Sequence, residues 1–260
     1  MSRGARFWAQ LAFTLFVCAF LIAPVVMSVL AGITENFFVG LKSGLTLRWI
    51  GQVWELYSGT VYLSIGIALA CLAATLVLGV PAAYVLARTQ NRWTRAFEEL
   101  LVLPVAVPGL ATALALILLY GQIREFRSSW TFILVGHVLF TLPFMVRSVL
   151  AVMAAIDLRT LEDAAASLGA SFRQRFFQVI LPNARPGIVA GSLMVVTLSM
   201  GEFNITWMLH TPLTQTLPVG LADSYASMRL EIGSAYTVIF FFMLVPLLVV
   251  LQWVSERVVR

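Results

Sequence analysis

Two long stretches of the chain contain no charged residue, and they constrain its fold more than any other feature. Residues 61–87 and 232–254 lack Asp, Glu, Lys and Arg throughout. Each stretch is longer than the roughly 20 residues that a helix needs to cross the hydrocarbon core of a bilayer. Because lipid offers no partner for backbone N–H and C=O groups, such segments must be helices. We therefore expect an all-α, multi-pass membrane protein.

Composition agrees with this interpretation, because 60% of the residues are hydrophobic and 11% are charged, whereas soluble domains are about half apolar. The first apolar segment follows Arg3 and Arg6, as a signal peptide would, but it is too long for one and predicts an uncleaved helix. The sequence thus predicts a single transmembrane domain, residues 1–260. Its six predicted spans are 7–30, 58–87, 99–120, 130–153, 186–209 and 232–254.

The basic residues predict the orientation of the chain. With both termini in the cytoplasm, twelve Lys and Arg residues lie inside and five lie outside, and the opposite topology inverts that ratio. The net charge of +5 is then a consequence of topology and does not indicate nucleic-acid binding. The inside set is Arg3, Arg6, Arg88, Arg92, Arg95, Arg147, Arg159, Arg173, Arg175, Arg185, Arg257 and Arg260, and the outside set is Lys42, Arg48, Arg124, Arg127 and Arg229.

The largest predicted cytoplasmic loop, residues 154–185, has the pattern of two short helices. Asp157 is a candidate N-cap for the first helix, and Gly169 is a candidate C-terminal stop. The apolar residues of this helix fall on one stripe, formed by Leu158, Leu161, Ala165 and Leu168.

The second helix of the loop is expected to begin at Ser171, because Ser171 and Gln174 have the spacing of a capping box. Pro182 and Pro186 are expected to end it before the fifth span. From periodicity alone, the loop is either a docking surface for a partner or an ordinary loop that lies on the lipid.

The sequence of the loop resembles the signature of ABC importer permeases. Asp163–Gly169 reads DAAASLG, and after nine further residues Val179–Pro182 reads VILP. The family pattern is Glu-Ala-Ala, three residues, Gly, nine residues, Ile, any residue, Leu-Pro. The spacing is the same throughout, and the two departures, Asp163 for Glu and Val179 for Ile, keep the chemistry.

Further residues extend the resemblance from about position 58 to the C-terminus. Leu103-Pro104 and Val107-Pro108-Gly109 resemble the proline-broken third helix of the family. Gly201-Glu202-Phe203, followed by Thr216-Leu217-Pro218, resembles the subgroup that imports polyamines, ferric iron, thiamine or aminophosphonates.

The resemblance implies a type I ABC importer permease fold in a bacterial inner membrane. Two permease subunits face each other, two ABC ATPase subunits sit beneath them, and a periplasmic or extracellular binding protein delivers the substrate. The resemblance to polyamine permeases favours a second permease that is a different chain. This chain is then not an enzyme and holds no cofactor, since ATP and Mg²⁺ are bound by the partner ATPase. The sequence has no Gly-x-x-x-x-Gly-Lys-Ser/Thr phosphate loop of its own.

The resemblance also implies that the helix around Asp163 is the coupling helix, which docks into a groove of the ATPase. Small alanines allow close approach, leucines give apolar contact, and Glu162 and Asp163 are expected to pair with basic residues of the ATPase. Gly169 permits the turn between the two helices. The predicted coupling residues are Leu161, Glu162, Asp163, Ala164, Ala165, Leu168 and Gly169.

Glu202 is the acidic residue in the interior of a predicted span, where an ionisable group needs a partner or a water-filled cavity. We expect Glu202 and Asn204 to line the pathway or gate, and the alternative for Glu202 is a structural role beside a polar group such as Asn204. Pro104 and Pro108 are expected to bend the third span at a gate. His137 and Arg147 are interpreted as a helix-packing residue and an anchor. The substrate is expected to be a small cation or amine, such as a polyamine, with aminophosphonate, ferric iron and thiamine as alternatives.

Two other classes of protein fit the sequence less well. An intramembrane enzyme is disfavoured because the sequence contains no Ser/His/Asp set, no His-Glu-x-x-His motif and no paired carboxylates within spans. A secondary transporter or channel often has inverted repeats or matching interrupted helices, and neither is evident here. Such a protein would also leave the cytoplasmic loop unexplained.

Overall fold

The structure, a computed structural model, describes residues 3–89 and 91–259, and the side chains of Arg3, Ala5 and residues 254–259 are not described. Arg260 and the side chains of Arg3 and Arg257, which belong to the predicted inside set, therefore lie outside the described part. Within the described residues the regular elements are helices, apart from an isolated β-bridge between Thr34 and Leu45. The all-α prediction is confirmed.

Thirteen α-helices are described within residues 3–89 and 91–259. A short 3₁₀ turn, Gly40–Ser43, lies between the first two, and a π-helical segment, Arg175–Ile180, lies between the ninth and the tenth. The helices are α1 Arg3–Gly32, α2 Arg48–Arg88, α3 Arg92–Leu100, α4 Leu103–Ala106, α5 Gly109–Tyr120, α6 Arg124–Arg127, α7 Trp130–Ala155, α8 Leu158–Ser167, α9 Phe172–Gln174, α10 Leu181–Gly201, α11 Asn204–Leu209, α12 Leu217–Ala226 and α13 Leu230–Val259.

Five helical segments of the described chain are long and apolar enough to cross a membrane. A sixth span is formed if Arg92–Ala106 and Gly109–Tyr120, which are bent by 100° at the break between them, are counted together. The prediction of a polytopic membrane protein with six spans is confirmed on that count. The five continuous segments are Arg6–Gly32, Arg48–Arg88, Trp130–Ala155, Phe172–Gly201 and Leu230–Trp253.

The predicted bounds of the third and fifth spans were wrong. The third begins earlier than residue 99, because Asn91 and Thr94 form a capping box that starts α3 at Arg92. In the fifth, Pro182 and Pro186 do not end the preceding helix, and the helix runs on from Phe172 to Gly201. The π-helical turns that precede Pro182 allow the helix to continue, although Pro182 has no backbone N–H to donate. The fifth span then stops at Gly201 rather than at residue 209.

One compact unit of the chain comprises residues 60–219 and 244–260. Its main core lies between α2, α7 and α10, and includes Met145, Val149 and Ala184. Gly187 lets α10 approach α7 closely, since a Cβ there would lie 2.7 Å from the backbone oxygen of Ser148. Small residues at such an interface are typical of helices packed within a membrane. The predicted coupling and pathway residues all belong to this unit.

The other compact unit comprises residues 1–59 and 220–243. The end of α1 packs against the start of α13 at Gly32, where a Cβ would lie 2.6 Å from the backbone oxygen of Ser234. The Phe37 N–H also donates to Glu231 Oε1 at 3.0 Å. These contacts tie the segment that follows α1 to the first turns of α13.

Candidate functional site

The predicted coupling helix is present as α8, and its N-terminus is capped as expected. Asp157 Oδ1 accepts a hydrogen bond from the Thr160 N–H at 3.2 Å, and Oδ2 accepts one from the Thr160 hydroxyl at 2.6 Å. Both bonds favour the ionised carboxylate and lower the pKa of Asp157, with the hydroxyl as the larger cause. The cap therefore works with Asp157 charged at neutral pH.

The C-terminus of α8 ends in a Schellman motif centred on Gly169. The Gly169 N–H donates to Ala166 O at 2.9 Å, and the Ala170 N–H donates to Ala165 O at 3.0 Å. This pattern requires a left-handed residue, and Gly169 has a φ of +81°. The predicted stop at Gly169 is confirmed.

The helix after the turn leads directly into the membrane. Ser171 and Gln174 form the predicted capping box. From Phe172 the helix continues through the π-helical segment into α10. One end of the coupling loop is thus continuous with a transmembrane helix.

Four of the predicted coupling residues of α8 face away from the rest of this chain. Leu168 is 89% exposed and Leu161 is 38% exposed, while Asp163 and Ala164 are also exposed. Ala165 is half-buried. The outward face of α8, defined here as Leu161, Ala164 and Leu168, combines apolar groups with a small residue. Asp163 is exposed about 100° further round the helix from Ala164.

Glu162 does not belong to this outward face. Its side chain is 2% exposed, and its Oε1 lies 3.4 Å from Arg88 Nη1 and 3.4 Å from Arg175 Nη1. The Tyr84 hydroxyl donates to the same oxygen at 3.0 Å. The expectation that Glu162 pairs with basic residues of an ATPase was wrong for this position, because consecutive residues of a helix point in directions about 100° apart. Asp163 is the exposed member of the pair.

The third span is broken where the prolines predict it. Pro104 lies in the first turn of α4, and α4 ends at Ala106. Val107 and Pro108 are extended, and α5 begins at Gly109. Pro108 is exposed and Pro104 is half-buried. The predicted bend is confirmed, whereas its role in a gate stays a prediction.

Glu202 lies at a second helix break, which sequence reasoning missed. α10 ends at Gly201, Glu202 is extended, and α11 starts at Asn204. The Glu202 carboxylate is buried and caps α11: Oε1 accepts from the Ile205 N–H at 2.8 Å, and Oε2 accepts from the Thr206 N–H at 2.9 Å. The Thr206 hydroxyl donates to Oε2 at 2.8 Å. Asn204 is exposed beside it but takes no part in these bonds.

His137 completes this buried network. Its Nε2 lies 2.8 Å from Thr206 Oγ1 and 3.7 Å from Glu202 Oε2, and its Nδ1 lies 2.8 Å from Ser199 Oγ. The Thr206 hydroxyl donates its single hydrogen to Glu202, so it accepts from His137 Nε2–H. The predicted helix-packing role of His137 agrees with these contacts, which join α7, α10 and α11.

The two helix breaks lie against each other. A Cβ on Gly109 would be 3.1 Å from Asn204 Cβ and 3.2 Å from Ile205 Cγ1. The start of α5 therefore packs directly on the start of α11. The structure brings Pro108, Glu202 and Asn204 into one region and places the coupling residues in another.

The partners of Glu162 were also missed by sequence reasoning. Tyr84 lies in an uncharged segment, and Arg88 and Arg175 were interpreted only as topological signals. One sequence signal could have found the site: Leu158 and Glu162 are four residues apart, so they share a face of α8. Leu158 is 5% exposed, and that face points into the protein.

Comparisons with known proteins agree with this architecture. Residues 76–260 match the family described as binding-protein-dependent transport system inner membrane component. The chain is 29% identical over 212 residues to the putrescine transport system permease protein PotI of Escherichia coli K12, with 77% of this chain and 74% of PotI covered. It is 29% identical over 215 residues to the sulfate transport system permease protein CysW of Synechocystis, with 77% and 78% covered.

A solved structure has the same fold. A chain of a bacterial ABC transporter involved in the import of alginate superposes with a TM-score of 0.76 at 14% identity, covering 99% of this chain and 97% of that one. The match to the family spans well over half of the chain. This chain belongs to the binding-protein-dependent transport system inner membrane components, the permease subunits of ABC importers.

Proposed function

We propose that this chain forms part of the substrate pathway of an ATP-driven importer and that α8 couples it to an ABC ATPase. The observation that carries the proposal is the outward face of α8. Leu168 is 89% exposed at the end of a helix whose two termini are both fixed by caps. An exposed leucine on an ordered helix suits docking into a groove of a partner protein.

The chain is proposed to be the non-catalytic part of the transporter. ATP and Mg²⁺ bind to the partner ATPase, and this chain holds no cofactor of its own. A second permease, a different chain, completes the pathway, and a periplasmic or extracellular binding protein delivers the substrate. Both termini of the chain lie in the cytoplasm, in keeping with the distribution of Lys and Arg.

The pathway is proposed to run past the two abutting helix breaks. Pro108 and Asn204 are exposed there, and Pro104 lies in the first turn of α4, which leads to them. Glu202 stabilises the start of α11 in this region, because its buried carboxylate accepts hydrogen bonds from the backbone of α11. Backbone that leaves the helical path within a membrane is tolerated where it is buried or lines a cavity, which fits a gate.

A polyamine such as putrescine is the proposed substrate, and the relative PotI supports it. Glu202 adds no support for a cation, since its oxygens are bound to groups of this chain. Sulfate is the second candidate, because CysW is equally identical to this chain. Aminophosphonate, ferric iron and thiamine stay predictions from the sequence resemblance.

The experiment is a mild-detergent pull-down of the tagged chain from its native membrane, followed by mass spectrometry. Recovery of an ABC ATPase and a second permease supports the proposal, and a secondary transporter, a channel or an intramembrane enzyme would bring down neither. A binding protein that elutes with the complex is then titrated by calorimetry with putrescine and with sulfate. Recovery of the chain alone, in a preparation that keeps other membrane complexes intact, would contradict the coupling role.

A further inference from the structure

The side chain of Glu162 is the buried charge closest to the proposed docking face, and it connects three helical segments. Glu162 projects from α8, Tyr84 and Arg88 belong to the last turns of α2, and Arg175 starts the segment that leads into α10. The three partner groups all meet Glu162 Oε1, at 3.0 to 3.4 Å. We refer to Glu162, Tyr84, Arg88 and Arg175 as the Glu162 clamp.

Tyr84 and the end of α2 in the Glu162 clamp have further contacts. The Tyr84 hydroxyl receives a hydrogen bond from Arg88 Nη1 at 3.1 Å, and its ring contacts Phe176 edge to face, with centroids 5.5 Å apart. Arg159, on α8, donates from Nη2 to the Arg88 carbonyl at 3.0 Å and so caps the end of α2. These contacts hold the Tyr84 side chain and the end of α2 next to the Glu162 carboxylate, which is itself 2% exposed.

The covalent connections at the two ends of α8 are not helical. Ile156, which precedes the helix, has φ −103° and ψ 149°, and Gly169, which follows it, has φ +81°. A helix joined through two such positions can pivot when a partner pushes on it. Rigid transmission must then come from side chains, namely Leu158 in the core, Glu162 beside it and Arg159, which donates to the Arg88 carbonyl.

We propose that Glu162 is a positioning residue that locks α8 to α2 and to α10, so that a displacement of α8 moves both transmembrane helices. This inference rests on the proposed function, since it presupposes that an ATPase pushes on α8. A carboxylate between two arginines and a phenol is suited to this task, because the Tyr84 hydroxyl donates a charge-assisted hydrogen bond to it and both guanidinium groups attract the same oxygen. Glu162 acts through its partners and does not touch the ATPase.

The test uses the complete transporter in lipid nanodiscs, with a cysteine reporter in the pathway and no need to know the substrate. The reporter is Asn204→Cys in a chain whose exposed Cys18 is replaced by Ser. Its rate of labelling by a maleimide is measured without nucleotide and after trapping the ATPases with ATP and vanadate. Trapping is expected to change the rate about tenfold in the otherwise unchanged transporter, which is a usual size for coupling between sites.

Glu162→Gln is expected to reduce that response to about twofold or less, while the ATPase still co-purifies at the original stoichiometry. The matched control is Asp163→Asn, which removes the neighbouring exposed carboxylate and should lower ATPase occupancy instead. A purely structural defect would lower yield and occupancy together. Arg175→Gln, which leaves Glu162 with Tyr84 and Arg88, is the second variant and should also weaken the response. It keeps the proposal testable if Glu162→Gln does not fold.

The outcomes separate the two claims. If trapping changes the rate equally in the original chain, in Glu162→Gln and in Arg175→Gln, the positioning role of Glu162 is wrong and the importer function stands. If trapping changes nothing in the original chain although the ATPase is present, the proposed coupling through α8 fails, and the role of Glu162 fails with it.

Discussion

Glu202 and Thr206 are bound to each other twice: Oε2 of the carboxylate accepts both the Thr206 N–H, at 2.9 Å, and the Thr206 hydroxyl, at 2.8 Å. The acidic residue directly after the fifth span is thus the cap of a short helix. A buried charged group is costly unless it is paired, and the donors that satisfy it come from its own chain. This arrangement explains how a carboxylate is retained at the break between α10 and α11.

Replacement of Glu202 by Ala should destabilise the protein. The N–H groups of Ile205 and Thr206 would lose their acceptor, and each unsatisfied buried group costs about 1–3 kcal/mol. We expect a lower melting temperature of the purified complex together with lower uptake. Glu202→Gln keeps an acceptor oxygen, so its melting temperature and its uptake should lie between those of the original chain and those of Glu202→Ala. Loss of uptake at an unchanged melting temperature would show instead that Glu202 acts on the substrate path.

Replacement of Gly109 by Val should separate the two helix breaks. A Cβ at this position would already be 3.1 Å from Asn204 Cβ, and overpacking of this kind costs about 1–3 kcal/mol. We expect reduced uptake and a lower melting temperature. Gly201→Ala is the matched control, because a Cβ there meets no atom within 4 Å. Equal behaviour of the two variants would contradict the close packing of α5 on α11.

Replacement of Gly169 by Ala should strain the end of the coupling helix. A residue with a side chain at a φ of +81° is disfavoured by about 1 kcal/mol, so the Schellman turn opens more often. We expect less ATPase to remain bound after a stringent detergent wash. Gly51→Ala serves as control, since Gly51 lies within α2 and its Cβ would meet open space. Full ATPase retention by Gly169→Ala would show that the turn does not set the docking geometry.

Replacement of Asp157 by Ala should loosen the first turn of α8. Hydrogen–deuterium exchange should become faster at the start of α8 and stay near its original rate in Asp157→Ser, which retains a capping oxygen. The folded-state pKa of Asp157 is lowered, so its contribution is present above the ordinary carboxyl pKa and is lost as pH falls through the lowered value. Exchange that does not respond to Asp157→Ala between pH 6 and 8 would contradict the cap.

The sequence predicted the parts of this fold that follow from local chemistry. Uncharged runs predicted membrane helices, Asp157 and Gly169 predicted the ends of α8, and Pro104 and Pro108 predicted the break in the third span. Each of these signals acts through the backbone of its own segment, so no tertiary contact is needed to interpret it.

Features that depend on distant residues could not be predicted. The direction of Glu162 depends on Arg88 and Arg175, which are remote in sequence and resemble ordinary topological charges. The break at Glu202 depends on a carboxylate that caps the next helix, and hydropathy continues across it. The prediction that Pro182 ends a helix was wrong in the opposite sense, because the helix continues past it through π-helical turns.

The most direct test of coupling through α8 is site-specific photo-crosslinking in the native membrane. A benzophenone amino acid replaces Leu168, which is 89% exposed on the outward face of α8, or Leu118, which is 73% exposed on α5. We predict that Leu168 yields a covalent adduct identified as the ABC ATPase and that Leu118 does not. The account would be contradicted if Leu168 gave no ATPase adduct in transporters that still hydrolyse ATP and import substrate.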